Sequence, residues 1–233
     1  MAKIFKATHV GKVRSNNEDS LIVIDPETFV VADGMGGAQA GEIASQMLVD
    51  VVKIILTSVP PPWDEKLLSR AILVANAKIL ETAQQNEQYK GMGTTATILS
   101  LNGYNAYFAH VGDSRLYLLR DNELRQITED HSYVETLVRN GDITPEEARI
   151  HPMRNVLTQA VGAVDDLYID AANFSVNKGD MFLLCTDGLT NMVDDQTITK
   201  ILQNSSNPAE ELIEVALNAG GKDNVTVIVA GVD

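Results

Sequence analysis

Residues 94–111 read Thr94-Thr95-Ala96-Thr97-Ile98-Leu99-Ser100-Leu101-Asn102-Gly103-Tyr104-Asn105-Ala106-Tyr107-Phe108-Ala109-His110-Val111. Two runs rich in strand formers flank Asn102-Gly103, a strong hairpin signal. Arg115 to Arg120 and Glu123 to Gln126 then flank Asp121-Asn122, which predicts a second hairpin. Antiparallel strands therefore follow one another through the middle of the chain. Working outward, Ile4 to Thr8, Leu21 to Ile24 and Phe29 to Ala32 read as strands before this block. Strands resume near Val156, Tyr168 and Met181, and Val225 to Gly231 closes the chain.

Helices flank these strands in two separate pairs. Ala40 to Leu56 carries an apolar stripe of Ile43, Met47, Val51 and Ile54 or Ile55. After the break Ser58 to Pro62, Asp64 can cap a second helix, with Trp63 and Leu68 at staple spacing. That helix runs to about Gln85, with Leu67, Ala71, Val74, Ala75, Lys78 and Ile79 on one face. The second pair starts at Asp194 and at Asn207-Pro208-Ala209-Glu210. Consecutive antiparallel strands with paired helices predict an α+β fold of four layers: an α/β/β/α sandwich of two mostly antiparallel sheets flanked by helices. From about Asp130 to Pro152 the pattern is short, polar and helical, with a capping box at Thr144-Pro145-Glu146-Glu147. This segment, about residues 130–152, reads as an inserted flap. With no repeats or linkers, residues 1–233 read as a single domain.

Composition narrows the function. The net charge is 18 − 32 = −14, which argues against nucleic acid and against an anionic membrane as partners. No stretch of about 18 apolar residues predicts a membrane helix. The start of the chain lacks a signal-peptide pattern. The only cysteine, Cys185, lies in an apolar strand. A packing role in a reducing, cytoplasmic setting is expected. The four histidines are scattered, which disfavours a histidine-rich zinc site.

Three aspartates stand at strand ends. Asp33 closes Phe29-Val30-Val31-Ala32, Asp187 closes Met181 to Thr186, and Asp223 precedes Val225 to Val229. Each Asp-Gly alone reads as a turn. Two copies after apolar strands, plus Asp223, predict carboxylates aimed at one edge of a core. They would repel one another unless cations sat between them. Hard divalent cations bound by oxygen ligands fit this set, offset by Asp33, Asp187 and Asp223. In Arg14-Ser15-Asn16-Asn17-Glu18-Asp19 an arginine precedes two acids, and it could fork a phosphate; on spacing alone the segment reads equally as a charged loop. Asp113, in Gly112-Asp113-Ser114-Arg115, reads alone as a hairpin turn or an Asp–Arg pair. Gly36 to Glu42 is no P-loop, position 191 is asparagine rather than the arginine of a thiolate phosphatase, and no Gly-x-Ser-x-Gly elbow occurs. A calcium loop is disfavoured because the acids are far apart in sequence.

Six motifs occur in order: Arg-Ser-Asn-Asn-Glu-Asp at 14–19, Val-Ala-Asp-Gly-Met-Gly-Gly at 31–37, Gly-Met-Gly-Thr-Thr-Ala at 91–96, His-Val-Gly-Asp-Ser-Arg at 110–115, Thr-Asp-Gly-Leu at 186–189 and Lys-Asp-Asn-Val-Thr at 222–226. Together they resemble the metal-dependent protein phosphatases of the 2C type, in their compact bacterial branch, over essentially the whole chain. The resemblance implies a phosphoserine/phosphothreonine protein phosphatase with two Mn²⁺ or Mg²⁺ ions, acting on phosphorylated proteins and opposing a cognate Ser/Thr kinase. It further implies that Asp33 bridges both ions, that the Gly34 carbonyl joins one, and that Asp187 and Asp223 hold the other. Glu18, Asp19 or both would reach an ion through water, Asp113 would hold a third and weaker ion, and Arg14 would bind the phosphate. A hydroxide between the ions would attack phosphorus, because two ions about 3.5–4 Å apart lower the pKa of a shared water. The chain departs from many eukaryotic members of that family at Met35, where they carry a histidine, a candidate acid for the leaving group. A silent binding module of the same fold is the competing reading; retention of all the expected ligands favours an enzyme.

Overall fold

The structure, a computed structural model, describes residues 3–25, 27–36 and 40–232. Two sheets are built by strict alternation along their strands. The first contains β1 (Lys3–His9), β7 (Arg115–Arg120), β8 (Glu123–Gln126), β10 (Met181–Cys185) and β11 (Val225–Gly231), in the order β1-β11-β10-β7-β8. The second contains β2 (Asp19–Ile24), β3 (Thr28–Met35), β5 (Ala96–Asn102), β6 (Asn105–Val111) and β9 (Asp170–Ser175), in the order β2-β3-β5-β6-β9, with β4 (Gly93–Thr94) on β3. All pairings are antiparallel.

Side-chain alternation shows why there are four layers. In β3, Phe29 and Val31 point into a core shared with Leu116, Phe182, Leu184 and Ile228 of the other sheet. The intervening Val30 and Ala32 point the other way, onto Leu48, Val52, Leu68 and Ile72. Those four belong to α1 (Ala40–Thr57) and α2 (Glu65–Gln85). On the far side, Leu183, Val227 and Val229 pack on Ile198, Leu202, Leu212 and Ile213 of α6 (Asp195–Asn204) and α7 (Pro208–Asn218). A period of two in a strand serves two interfaces at once. This is the expected α/β/β/α sandwich.

Details differ from the sequence reading. In α1 the fully buried row is Ala44, Leu48, Val52 and Leu56, while Ile43, Met47, Val51 and Ile55 pack at its margin and Ile54 is 65% exposed. The outer face carries the exposed row Glu42, Gln46, Asp50 and Lys53, and on the inner face Gly41 packs directly on β3, where a Cβ would fall 2.8 Å from the Gly34 carbonyl. In α2, Leu68, Ile72 and Asn76 are buried instead of Val74 and Lys78. Asp64 caps it as expected, accepting from Leu67 N at 2.9 Å. The first hairpin pairs Asn102 with Asn105, so its loop is Gly103-Tyr104, one residue later than read, with Gly103 at φ 57°. Asp121 and Asn122 form the second turn, both at positive φ. No strand forms at Val156. Residues there wrap over the strand ends through single bridges, Ser132 with Leu157 and Thr94 with Val161. The segment 130–152 contains α3 (Tyr133–Asn140) and α4 (Pro145–Ile150), and Thr144 makes the expected capping box.

Candidate active site

The carboxylates meet because their strands are neighbours. Asp19 and Asp33 face each other across β2 and β3. Asp187 follows β10 and Asp223 precedes β11, and these strands pair with Cys185 opposite Val227. The two sheets stack, so these ends open on the same side. Asp113 joins them from the turn that carries the chain from β6 in one sheet to β7 in the other. Gly112 in that turn has φ 108°, and a Cβ there would meet the Thr95 side chain at 2.6 Å. Arg14, Glu18, Asp33, Gly34, Asp113, Asp187 and Asp223 together line a cleft of about 360 Å³. Asp19 lies behind it, buried.

Close backbone contacts hold the frame. A Cβ on Gly34 would fall 2.0 Å from the Gly41 carbonyl oxygen, so glycine is required where β3 meets α1. A Cβ on Gly188 would fall 1.8 Å from the Asn224 carbonyl oxygen, which locks the short helix α5 (Asp187–Thr190) against the start of β11. The Asp33 amide donates to Thr95 Oγ1 at 2.8 Å, and Thr95 Oγ1 lies 2.7 Å from Ser114 Oγ.

Electrostatics show how strongly these carboxylates are crowded. Burial, followed by repulsion from Asp19, Asp187, Asp113 and Asp223, holds Asp33 well above the usual carboxylate range. Burial and Asp187 do the same to Asp113. Burial pushes Asp187 up to about 6, with Asp223 adding to the rise. Burial pushes Asp19 up to about 7, although Thr226 and Thr186 bond to it. Asp19 Oδ2 accepts from Thr186 Oγ1 at 2.9 Å, while Asp19 Oδ1 is buried without a hydrogen-bond partner. Crowded, desolvated carboxylates with an orphaned oxygen fit divalent cations. Among the described residues, no three His, Cys, Asp or Glu side chains close round a single point in ion-holding geometry. Hard cations complete their shells with carbonyl and water oxygens, so the Gly34 carbonyl and solvent remain compatible partners.

Arg14 is exposed and donates from Nη2 to Asp223 Oδ2 at 2.8 Å; Asp223, rather than Glu18 or Asp19, is its hydrogen-bonded partner. Burial raises the Glu18 carboxyl, with Arg14 opposing. Arg115 does not pair with Asp113. It grips Asp130 with two nitrogens, Nε to Oδ1 at 2.9 Å and Nη2 to Oδ2 at 2.7 Å, rooting the segment after β8. Met35 lines the cleft and Met92 is fully buried. Gly37 of the second motif lies outside the described residues. Cys185 is fully buried, and burial pushes its thiol up to about 12.

Asn224 lies inside the sixth motif, but motif reading gave it no role. It is 5% exposed. Its Nδ2 donates to the Val10 and Asn16 carbonyls, each at 2.8 Å, and its Oδ1 accepts from Glu18 N at 2.8 Å. One side chain thus ties the Arg14–Glu18 loop to the strand end that carries Asp223. Its signal in the sequence was its place in the Lys-Asp-Asn-Val-Thr motif, just before the apolar closing strand.

The ordered motifs and the carboxylate cleft place the chain among metal-dependent phosphatases. A family model described as Protein phosphatase 2C matches residues 9–219, and the chain belongs to that family. It is 42% identical to the serine/threonine protein phosphatase PstP of Mycobacterium tuberculosis over 95% of this chain and 43% of that protein. It is 38% identical to the protein phosphatase PhpP of Streptococcus pneumoniae over 94% of this chain and 93% of that protein. The chain therefore spans less than half of PstP and nearly all of PhpP. A crystal structure of the PstP catalytic domain in complex with two manganese ions superposes with a TM-score of 0.91 at 39% identity, covering 100% of this chain and 99% of that one. No helix among the described residues is long and apolar enough to cross a membrane.

Proposed function

We propose that the chain hydrolyses phosphoserine and phosphothreonine in proteins, with manganese as its metal. The observation that supports this best is the crowding of Asp33, Asp113, Asp187 and Asp223 in one cleft beside Arg14. In this reading Asp33, the Gly34 carbonyl, Asp187 and Asp223 hold two ions. Glu18, Asp19 or both contribute through water, Asp113 holds a third ion, and Mg²⁺ can replace Mn²⁺. When bound, such ions activate water and offset charge on the phosphoryl oxygens. Arg14, exposed beside the acids, turns its fork from Asp223 to the phosphate, and Asn224 keeps its loop in place. Met35 has no proton to give. Residues 1–233 form one catalytic domain, with segment 130–152 as a flap beside the cleft. The natural counterpart is a Ser/Thr kinase in the cytoplasm.

The test is turnover of a phosphothreonine peptide with Mn²⁺ and with chelator. Phosphate release should require the metal. Asp33→Asn should lower kcat by at least about a thousandfold while leaving the circular dichroism spectrum unchanged. Turnover within a few-fold of the unsubstituted protein would remove Asp33 from the metal site.

A further inference from the structure

A second groove of about 620 Å³ opens off the cleft and shares Asn155 and Asp223 with it. Its walls are the end of α4, the turn before α6, and the loop before β11. Three exposed cations line it: Arg149, Arg154 and Lys222. None takes part in the ion pairs found among the described residues. Two acids, Asp194 and Asp223, also line the groove. Asp194 accepts from Thr197 N at 2.8 Å as the cap of α6, and Asp223 is held by Arg14. Ile150 stands at the rim, 81% exposed. In a chain with 32 acidic and 18 basic residues, a groove beside the phosphate cleft lined by three basic and two acidic side chains (3 − 2 = +1) is locally basic.

We propose that this groove receives the peptide flanking the phosphorylated residue and selects acidic side chains there. The proposal rests on the reading that the cleft takes a phosphorylated side chain. An extended peptide leaving the cleft past Asn155 and Asp223 would lay its carboxylates against Arg149, Arg154 and Lys222, with Ile150 giving apolar contact. Exposed ion pairs are individually weak, so three should together favour an acidic flank by about tenfold over a lysine flank at low salt. That preference should collapse in about 0.5 M salt.

Phosphothreonine peptides with aspartate, alanine or lysine on either flank would be compared, together with p-nitrophenyl phosphate, which has no flank. The unsubstituted protein should show the highest kcat/KM on the aspartate peptide, through KM. Arg149→Glu combined with Arg154→Glu should erase or invert that order and leave turnover of p-nitrophenyl phosphate unchanged. Fluorescence anisotropy of the labelled aspartate peptide reads the same preference without turnover. Charge-selective binding without hydrolysis would therefore uphold the groove while overturning the proposed function. Equal handling of all three flanks, a preference for lysine, or an equal loss on every peptide in the double variant would overturn the proposal.

Discussion

Asn224→Ala is the sharpest probe of how this cleft is held together. The substitution removes three hydrogen bonds of 2.8 Å, to Glu18 N and to the Val10 and Asn16 carbonyls. Leaving a buried polar group unsatisfied costs about 1–3 kcal/mol. The loop groups are only partly buried and water can reach them, so the lower end applies, about 1 kcal/mol each and about 3 kcal/mol in all. For a chain of this size that lowers Tm by roughly 6–12 °C. The released segment carries Arg14 and Glu18, so KM for a phosphopeptide should rise about tenfold while kcat changes less. Asn224→Asp should do at least as much harm. It keeps the acceptor for Glu18 N but turns a charged oxygen toward two carbonyls and sets it beside Asp223. Calorimetry and steady-state kinetics on the same preparations decide it. A Tm loss under about 2 °C with unchanged KM for Asn224→Ala would refute the view that this residue ties the loop to the strand end.

Arg14→Ala should raise KM for phosphopeptide and weaken inhibition by free phosphate, while Mn²⁺ affinity measured by calorimetry holds or rises. A variant that lost Mn²⁺ but bound phosphate normally would make Arg14 a support for Asp223, its present partner at 2.8 Å. The Mn²⁺-induced rise in Tm should grow with pH. Asp187 and Asp19 are raised to about 6 and about 7, so without metal their contribution to stability is intact below about pH 4 and is lost as pH climbs through those values. Differential scanning fluorimetry with and without Mn²⁺ should show a larger metal shift at pH 8 than at pH 5.5; an equal or reversed shift would count against cation-relieved crowding. Cys185→Ala should retain turnover, and a thiol reagent should not modify Cys185 in the folded protein, because burial pushes the thiol to about 12. Loss of turnover in that variant would reopen a role for sulfur in the chemistry.

Much was legible in the chain because it is local. Alternation of apolar residues marks strands, Gly and Asx pairs mark hairpins, and Thr144-Pro145-Glu146-Glu147 writes its own capping box. An aspartate ending an apolar strand announces a carboxylate at the edge of a core, and six motifs in order identify the family. What the chain could not express is the relation between segments. Whether α1 fully buries Met47 or Leu48 depends on how Gly41 packs on β3, a contact that no local stretch records. That Arg115 holds Asp130 rather than Asp113, and that Arg14 rests on Asp223 over 209 residues of separation, follows from sheet stacking, which no spacing records. Asn224 reads as one polar residue before a strand; its three partners lie 206 to 214 positions away and become neighbours only when the first and last strands pair. The sequence by itself determined most of the elements, the strand read near Val156 excepted, and the chemical types at their ends. Tertiary structure decided which ends share a cleft, because convergence of distant carboxylates is a property of sheet order and not of any local stretch.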